Sequence, residues 1–246
     1  MMEKTVLDYS AAPSPERIPM TITIGNLSLG RKPAVTAIID RLLSLAEITA
    51  LPERGADMLE IRADLIDAAP KRLYDYIREI RENVDLPLIG TLRETTQNKD
   101  RRLAMFEKIV PLVDCVDIEI DASINRDIVA MAGEKPVIIS EHDFEKTPSN
   151  DRLKALVEKG MELGGTIVKI AVMPRSREDV SRLLTFTGEC SAPIVTIAMG
   201  EIGVISRVAA PLFGSLFTYA FISDSVAPGQ LSIDMMAEEI GRYYPG

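Results

Sequence analysis

Histidine is nearly absent from this 246-residue chain, which has a single one, His142, together with two cysteines and no tryptophan. The cysteines, Cys115 and Cys190, stand far apart, and neither belongs to a CxxC pair. Structural and catalytic zinc sites draw most of their ligands from Cys and His. The sequence therefore argues against a Cys/His zinc site and favours two buried thiols in a reducing compartment.

An excess of basic residues is also lacking. The chain has 28 Lys and Arg against 37 Asp and Glu, a formal net charge of −9. Proteins that bind nucleic acid carry a basic patch or stripe, so we expect no nucleic-acid partner. An anionic substrate would have to be attracted by a few well-placed arginines against the overall field of the protein.

Long apolar segments are missing as well. The N-terminal stretch MMEKTVLDYSAAPSPERIP has no apolar core of the kind found in signal peptides. The longest weakly polar run, residues 208–222, contains Pro, Gly, Ser and Thr and is too short to span a bilayer. We therefore expect a cytoplasmic protein without a membrane partner.

The chain does contain a regular series of short apolar runs. We expect a loose tail over residues 1–17, followed by one domain over residues 18–246. That domain begins with a hairpin in residues 20–33, because two short apolar runs flank Gly25-Asn26. Eight further runs predict strands at 34–39, 58–63, 86–92, 116–120, 136–140, 166–172, 193–199 and 216–222. Amphipathic stretches lie between most of them, and those at 71–84 and 151–164 have helical spacing.

This rhythm predicts an α/β fold. Strands that recur every ~20–30 residues with helices between them form parallel βαβ units. Eight such units indicate a closed (β/α)₈ barrel of the TIM type. The alternative is a doubly wound open sheet, which usually has fewer strands at this length. No GxGxxG turn follows the first strand, so a dinucleotide-binding fold has little support.

Barrels of this type form their active sites at the C-terminal ends of the strands. The polar residues on or after the predicted strands are Glu60, Arg62, Asp64, Arg93, Glu119, His142, Lys169, Arg207 and Gln230. They are the candidates for binding and catalysis.

Lys169 is the most unusual of these, because it interrupts the apolar strand TIVKIAV. By period two it shares a face with Ile167 and Ala171, which indicates an inward direction. Burial disfavours a charged amine, so a neutral, nucleophilic lysine is one interpretation. A lysine paired with a carboxylate, or one that extends to the barrel mouth, is the other.

The remaining candidates also have two interpretations. His142 is either incidental or a general acid and base, since its ordinary pKa lies near neutrality. Glu60 and Arg62 share a strand face, where they form either a structural ion pair or a site for substrate hydroxyls. Arg93 and Arg207 are planar donors suited to a carboxylate.

Together these residues resemble type I 3-dehydroquinate dehydratases, a shikimate-pathway family, from residue 20 to the end of the chain. The motifs that carry the resemblance are LEIRAD, GTLRE, SEHDF, TIVKIAVMP, MGEIGVISRVAAPLFGSLFTYA and APGQLS. The resemblance implies a (β/α)₈ barrel whose N-terminal hairpin closes the barrel bottom. It also implies a homodimer, a small-molecule substrate, and no metal or organic cofactor.

The family's residue roles are implied in the same way. Lys169 corresponds to the Schiff-base lysine and His142 to the general acid and base. Arg207, helped by Gln230, corresponds to the residue that holds the substrate carboxylate. The positions that hold the ring hydroxyls and the carboxylate end are Glu60, Arg62 and Arg93. The implied reaction is the dehydration of 3-dehydroquinate to 3-dehydroshikimate through an imine.

Two positions depart from the family pattern. Gln97 replaces a common glutamate that orients the histidine, and Val226 replaces a common serine or threonine before APGQ. A glutamine can hold an imidazole but supplies no negative charge to it. Two other functions stay open at this stage: an imine-forming barrel of the class I aldolase kind, and a diverged barrel that binds a hydroxy acid without turnover.

Overall fold

Eight parallel strands form the central sheet of the computed structural model, which describes residues 22–30 and 32–244. Two short strands, β1 (Thr23–Ile24) and β2 (Leu27–Ser28), precede it as an antiparallel hairpin. The eight strands are β3 (Ala34–Ile39), β4 (Met58–Arg62), β5 (Leu88–Thr91), β6 (Cys115–Glu119), β7 (Val137–Asp143), β8 (Ile167–Val172), β9 (Ile194–Ala198) and β10 (Phe217–Phe221). The predicted tail at 1–17 and residues 18–21 of the predicted domain lie outside the described residues.

The sheet runs in the order β10-β3-β4-β5-β6-β7-β8-β9, with every neighbouring pair parallel. Its two edges meet where Ile194 of β9 bridges to Ser215, just before β10. A ninth, two-residue strand, β11 (Leu231–Ser232), pairs with the end of β10. The fold is thus the predicted TIM-type (β/α)₈ barrel, and β11 is an addition that the apolar pattern did not predict.

Helices follow most of the strands and cover the outside of the barrel. They are α1 (Leu45–Thr49), α2 (Pro70–Asn83), α3 (Arg102–Ile109), α4 (Asn125–Ala132), α5 (Asn150–Glu162), α6 (Arg177–Glu189), α7 (Gly200–Gly203), α8 (Ser206–Ala209) and α9 (Ile233–Tyr243). The two helices predicted from spacing match α2 and α5 within two residues at either end. Ser149, Ser176 and Ser232 cap α5, α6 and α9 by accepting a backbone N–H, which satisfies an otherwise orphaned donor.

The core has two layers because side chains alternate across each strand. In β8, Val168, Ile170 and Val172 pack outward against the helices, whereas Ile167 and Ala171 belong to a separate cluster inside the barrel. This period-two division places Lys169 on the inner face, as the sequence predicts.

The hairpin closes the bottom of the barrel. Ile22, Ile24 and Leu29 are buried and pack in the inner cluster against residues at the strand beginnings, such as Met58 and Ile138. The turn needs a positive φ of 56° at Gly25, which glycine adopts without strain. The polar candidates therefore lie at the opposite end of the barrel from the hairpin.

Among the described residues, no helix combines the length and apolar character needed to cross a membrane.

We expect Ile24→Ala to lower the free energy of unfolding by about 2–5 kcal/mol, because it leaves a cavity under the barrel. Thr23→Ala is the matched control, since Thr23 is exposed and Ile24 is fully buried. Urea denaturation measures both variants. Equal losses in the two variants would contradict the sealing role of Ile24.

Candidate active site

A cavity opens at the C-terminal ends of the barrel strands. Fourteen residues line it: Ile38, Glu60, Arg62, Arg93, His142, Lys169, Ala171, Ile197, Met199, Arg207, Tyr219, Val226, Ala227 and Gln230. Of the residues to which the family resemblance assigns a role, all but Gln97 are among them, whereas the further candidates Asp64 and Glu119 are not. Elements far apart in the sequence thus converge on one site, as the barrel topology requires.

Lys169 lies on the floor of this cavity. It is held in the middle of β8, where it stands opposite Ser140 of β7 and Val195 of β9. Only 4% of the residue is exposed. The side chain is therefore buried, as its inward direction predicts.

The amine has acidic neighbours, as the interpretation of Lys169 as a lysine paired with a carboxylate anticipates. Its Nζ lies 2.5 Å from Oδ2 of Asp117 and 3.9 Å from Oε1 of Glu60. The Nζ also donates to the hydroxyl of Tyr219 at 3.3 Å and lies 4.7 Å from the centre of that ring. The strand pattern could not show this, because all three neighbours come from other strands.

Asp117 connects Lys169 to Arg93. Its Oδ1 lies 2.8 Å from Nη2 of Arg93 and accepts a hydrogen bond of 2.6 Å from Ser140. Burial alone would raise the pKa of the Asp117 carboxyl, but Arg93 and Lys169 outweigh burial and hold the pKa well below its ordinary value. The carboxylate therefore stays charged between two cations.

Arg93 is held from its other side as well. Its Nη1 donates to Ser140 at 2.8 Å and lies 3.5 Å from Glu119. Burial alone would lower the pKa of Arg93, but Asp117 and Glu119 hold it above its ordinary value. Glu119 is in turn paired with the fully buried Arg102 of α3, whose guanidinium donates to the carbonyl of Leu92. This chain of alternating charges fixes the loop that carries Arg93.

His142 lines the cavity near the end of β7. The predicted strand ended at residue 140, but β7 continues to Asp143 because Glu141, His142 and Asp143 pair with β8. The imidazole makes no hydrogen bond within the described residues, and it stacks against Phe144 at a centroid distance of 6.1 Å. Burial, with Arg93 and Lys169 adding to it, lowers the pKa of His142 well below 6.5. The ring is therefore neutral near pH 7 and can accept a proton.

Glu60 and Arg62 do not form the ion pair with each other that one interpretation anticipated. Glu60 accepts a hydrogen bond of 2.7 Å from Thr91. Arg62 makes a two-point ion pair with Asp64, at 2.7 and 3.1 Å. Both side chains also line the cavity, so they keep polar atoms near any molecule bound there.

Arg207 is the one cavity-lining arginine without a carboxylate partner in the described part of the chain. It is 2% exposed, its Nε has no hydrogen-bond partner, and its Nη2 donates to the carbonyl of Pro228 at 3.0 Å. Burial lowers its pKa to about 10, so the guanidinium is still charged at neutral pH. An unpaired buried cation of this kind favours an anionic ligand.

The APGQ loop reaches the cavity through a close backbone contact. Gly229 has a φ of 70°, and a Cβ there would lie 2.3 Å from the carbonyl oxygen of Gly200. The Gln230 side chain accepts from the backbone N–H of Val226 at 3.1 Å and also lines the cavity. Only glycine permits this approach, which brings Gln230 beside the site that contains Arg207.

Gln97 is the predicted site residue that the structure does not bring to this cavity. It is exposed and lines a separate depression with Asn98 and Arg101. Hydrogen bonds between Thr95 and Asn98, and from Asn98 to the carbonyl of Arg93, form a turn that directs Gln97 away. No hydrogen bond joins Gln97 to His142 in the described residues.

Three polar neighbours of Lys169 were not predicted as site residues: Asp117, Ser140 and Tyr219. A signal for Asp117 was present, since it interrupts an apolar strand just as Lys169 does and shares a face with Glu119 by period two. Ser140 shares a face with His142 in the same way. Tyr219 gives no such signal, because an aromatic residue in a strand is ordinary.

The fold and this site define a class of protein: a barrel enzyme with a buried lysine and a neutral histidine in one cavity. The model of the family described as "Type I 3-dehydroquinase" matches residues 36–240. The chain therefore belongs to the type I 3-dehydroquinase family and is a hydro-lyase.

Individual relatives agree with this assignment. The 3-dehydroquinate dehydratase of Methanococcoides burtonii is 39% identical over 224 residues, which cover 87% of this chain and 95% of the relative. That of Methanosarcina acetivorans is 40% identical over 231 residues, with coverages of 86% and 95%. Among solved structures, a type I enzyme from Clostridium difficile with covalently modified comenic acid matches with a TM-score of 0.81. It is 28% identical, and the match covers 90% of this chain and 97% of that one.

Because the chain has one histidine, an NMR spectrum should contain one imidazole Hε1 signal, and its titration tests the surroundings of His142. We expect this signal not to titrate in the folded protein between pH 8 and about 6.5, the ordinary value for histidine. Arg93→Gln removes a nearby positive charge and leaves Asp117 paired with Lys169, so the midpoint should move upward.

The difference between the lowered pKa of His142 in the folded chain and its ordinary pKa in the unfolded chain also predicts a stability effect. The unfolded chain takes up the proton at a higher pH than the folded chain, so stability should fall as the pH falls through about 6.5. The variant His142→Gln should lack this component. A folded-state midpoint at or above the ordinary histidine value would contradict both expectations.

Proposed function

We propose that this chain dehydrates 3-dehydroquinate to 3-dehydroshikimate through an imine on Lys169, with His142 as general acid and base. The observation that carries the proposal is the single cavity that contains a buried amine, a neutral imidazole and an arginine without a counter-ion. The substrate has a ketone, a carboxylate and ring hydroxyls, and each of these has a suitable partner in the cavity. The names of the relatives support the same substrate.

Lys169 supplies the electron sink. Its ammonium gives up a proton and the nitrogen adds to the C3 ketone, and return of a proton to the former carbonyl oxygen lets water leave and gives an iminium. The charged iminium makes the neighbouring C2 proton acidic, and removal of that proton leaves an enamine. The enamine expels the C1 hydroxyl, and the ring gains its double bond. Hydrolysis of the imine then releases the product and the free lysine.

His142 is proposed to move the protons. The neutral imidazole accepts the C2 proton, and the imidazolium then donates a proton to the departing hydroxyl, so that water leaves. Its lowered pKa is suited to the second step, since a more acidic imidazolium gives up its proton more readily. Gln97 is left out of this proposal because it lies in another depression.

Arg207 and Gln230 are proposed to hold the substrate carboxylate. Glu60, Arg62 and Arg93 are proposed to hold the ring hydroxyls and the end of the substrate that carries the carboxylate. Arg207 offers an unpartnered Nε, and Gln230 is 8% exposed at the same cavity. Glu60 has a carboxylate oxygen for a hydroxyl donor, and the arginines supply N–H donors. Binding at several fixed points orients the C2 proton toward His142.

We also propose a homodimer in the cytoplasm. The segment after β9 leaves Ile202, Ile205 and Leu212 substantially exposed, with Leu212 71% accessible, and a second copy would bury such side chains. The buried thiol of Cys115 suits a reducing compartment.

We expect sodium borohydride and 3-dehydroquinate together to add a stable mass to the wild-type chain, with peptide mapping placing it on Lys169. Lys169→Ala should lose both this adduct and the absorbance of the conjugated product. Lys154→Ala is the control, because Lys154 is exposed on α5. Full activity in Lys169→Ala would rule out the imine, and an adduct without product would rule out the dehydration.

We expect Arg207→Gln to raise KM for 3-dehydroquinate by about 10- to 100-fold, the range for one charge-assisted hydrogen-bonded contact, with a smaller effect on kcat. Arg126→Gln, on the exposed side of α4, is the matched control. A substrate analogue without the carboxylate should bind the wild type and Arg207→Gln equally. If the variant still distinguishes the analogue as the wild type does, Arg207 does not bind the carboxylate.

A further inference from the structure

Asp117 has no part in the function proposed above, yet it is the group closest to the reactive nitrogen. Its Oδ2 lies 2.5 Å from Nζ of Lys169, and the residue is completely buried. Carboxylates are almost never fully buried unless they are paired, so the position needs a reason. A structural reason alone would be met by Arg93, which already pairs with Oδ1 at 2.8 Å.

The two oxygens of this carboxylate are used differently. Oδ1 is saturated by Arg93 and by the hydroxyl of Ser140. Oδ2 contacts the Lys169 nitrogen at 2.5 Å and has no other partner in the described residues. This oxygen is therefore committed to the Lys169 nitrogen alone, whichever group that nitrogen carries.

We propose that Asp117 is the counter-ion of the imine intermediate, holding the Lys169 nitrogen in its protonated iminium form. The inference rests on the proposed imine on Lys169 and assigns a residue that the mechanism above does not use. A ketone and a lysine ammonium together become an iminium and water, so the nitrogen carries one positive charge before and after condensation. One carboxylate can therefore neutralise both states without moving.

The charge on the nitrogen decides whether the next step proceeds. An iminium accepts the electron pair from the C2–H bond and becomes a neutral enamine, whereas an uncharged imine would have to become an anion. In a dry cavity an uncompensated positive nitrogen tends to lose its proton. The Asp117 carboxylate opposes that loss, because it interacts with the charged form at short range and away from solvent.

The charged and titratable groups that contact Lys169 or share its cavity come from six elements: Asp117 and Cys115 on β6, Glu60 and Arg62 on β4, Arg93 after β5, His142 on β7, Tyr219 on β10 and Arg207 on α8. Burial raises the pKa of the Cys115 thiol and of the Tyr219 hydroxyl, and it lowers that of His142. None of these three groups then titrates just above neutrality, and Arg207 titrates higher, with a pKa of about 10. The alkaline limb between neutrality and that range therefore reports mainly on the nitrogen.

The test is the dependence of kcat on pH with saturating 3-dehydroquinate, for the wild type and Asp117→Asn. The amide keeps the shape of the side chain and removes its charge. We expect the alkaline limb of the profile to move down by about one pH unit or more, the effect of losing an opposite charge at this distance. Borohydride trapping of the variant should be recovered as the pH is lowered.

Glu119→Gln is the matched control. It makes the same carboxylate-to-amide change on β6 and removes a partner of Arg93 at 3.5 Å, but Glu119 has no ion pair with Lys169. We expect its alkaline limb to stay where that of the wild type lies. A limb that moves equally in both variants would show a general electrostatic effect and overturn the inference.

A purely structural role for Asp117 predicts a uniform drop in kcat with no shift along the pH axis, and that result would also overturn the inference. If Asp117→Asn does not fold, Asp117→Ser, which leaves room for water beside Nζ and Arg93, is measured in the same way. Failure of the proposed function looks different: the wild type itself would give no borohydride adduct on Lys169.

Discussion

The ion pairs of Asp117 with Arg93 and Lys169 are the interactions on which the active end of this barrel depends. Asp117 and Lys169 lie on barrel strands and Arg93 lies just after one, and each would be costly to bury alone, because an unpaired ion in a protein interior loses several kcal/mol of solvation. Here the carboxylate lies between two cations at 2.8 and 2.5 Å. The carboxylate therefore joins the two cations: loss of Asp117 would leave both without it, whereas loss of either cation leaves Asp117 paired with the other.

The two buried cations of the cavity differ in what balances them. Lys169 is neutralised from within the chain, by Asp117 at contact distance and Glu60 at 3.9 Å. Arg207 has no carboxylate partner in the described residues, and burial brings its pKa down to about 10. The positive charge of Arg207 thus has no carboxylate to balance it in the described residues, and an anionic ligand can do so. This asymmetry gives an orientation, since a molecule with one carboxylate and one ketone fits the two cations in only one direction.

Much of the fold could be predicted because apolar periodicity is local. The eight strands lie within two residues of their predicted starts, and the inward direction of Lys169 followed from Ile167 and Ala171 alone. Long-range partners could not be predicted in this way. Asp117 is 52 positions from Lys169, and the sheet registers of β6, β7 and β8 decide that the two side chains meet. The position of Gln97 depended on a local turn closed by Thr95 and Asn98, which the resemblance to the family did not reveal.

His142 shows how the surroundings, more than the residue type, set a chemical role. Its ring is half-buried near two cations, and it makes no hydrogen bond in the described part of the chain that would stabilise the imidazolium. Such an imidazole is a weaker base but a stronger acid than a histidine in water. In the proposed reaction His142 takes a proton from carbon and returns one to a departing hydroxyl, and this shift helps the second step at the expense of the first. In the first step the iminium compensates for the weakness of the base, because it makes the C2 proton acidic. A weak base is then sufficient, provided that the charge on the Lys169 nitrogen is maintained, and the acidity of the imidazolium is free to serve the loss of water.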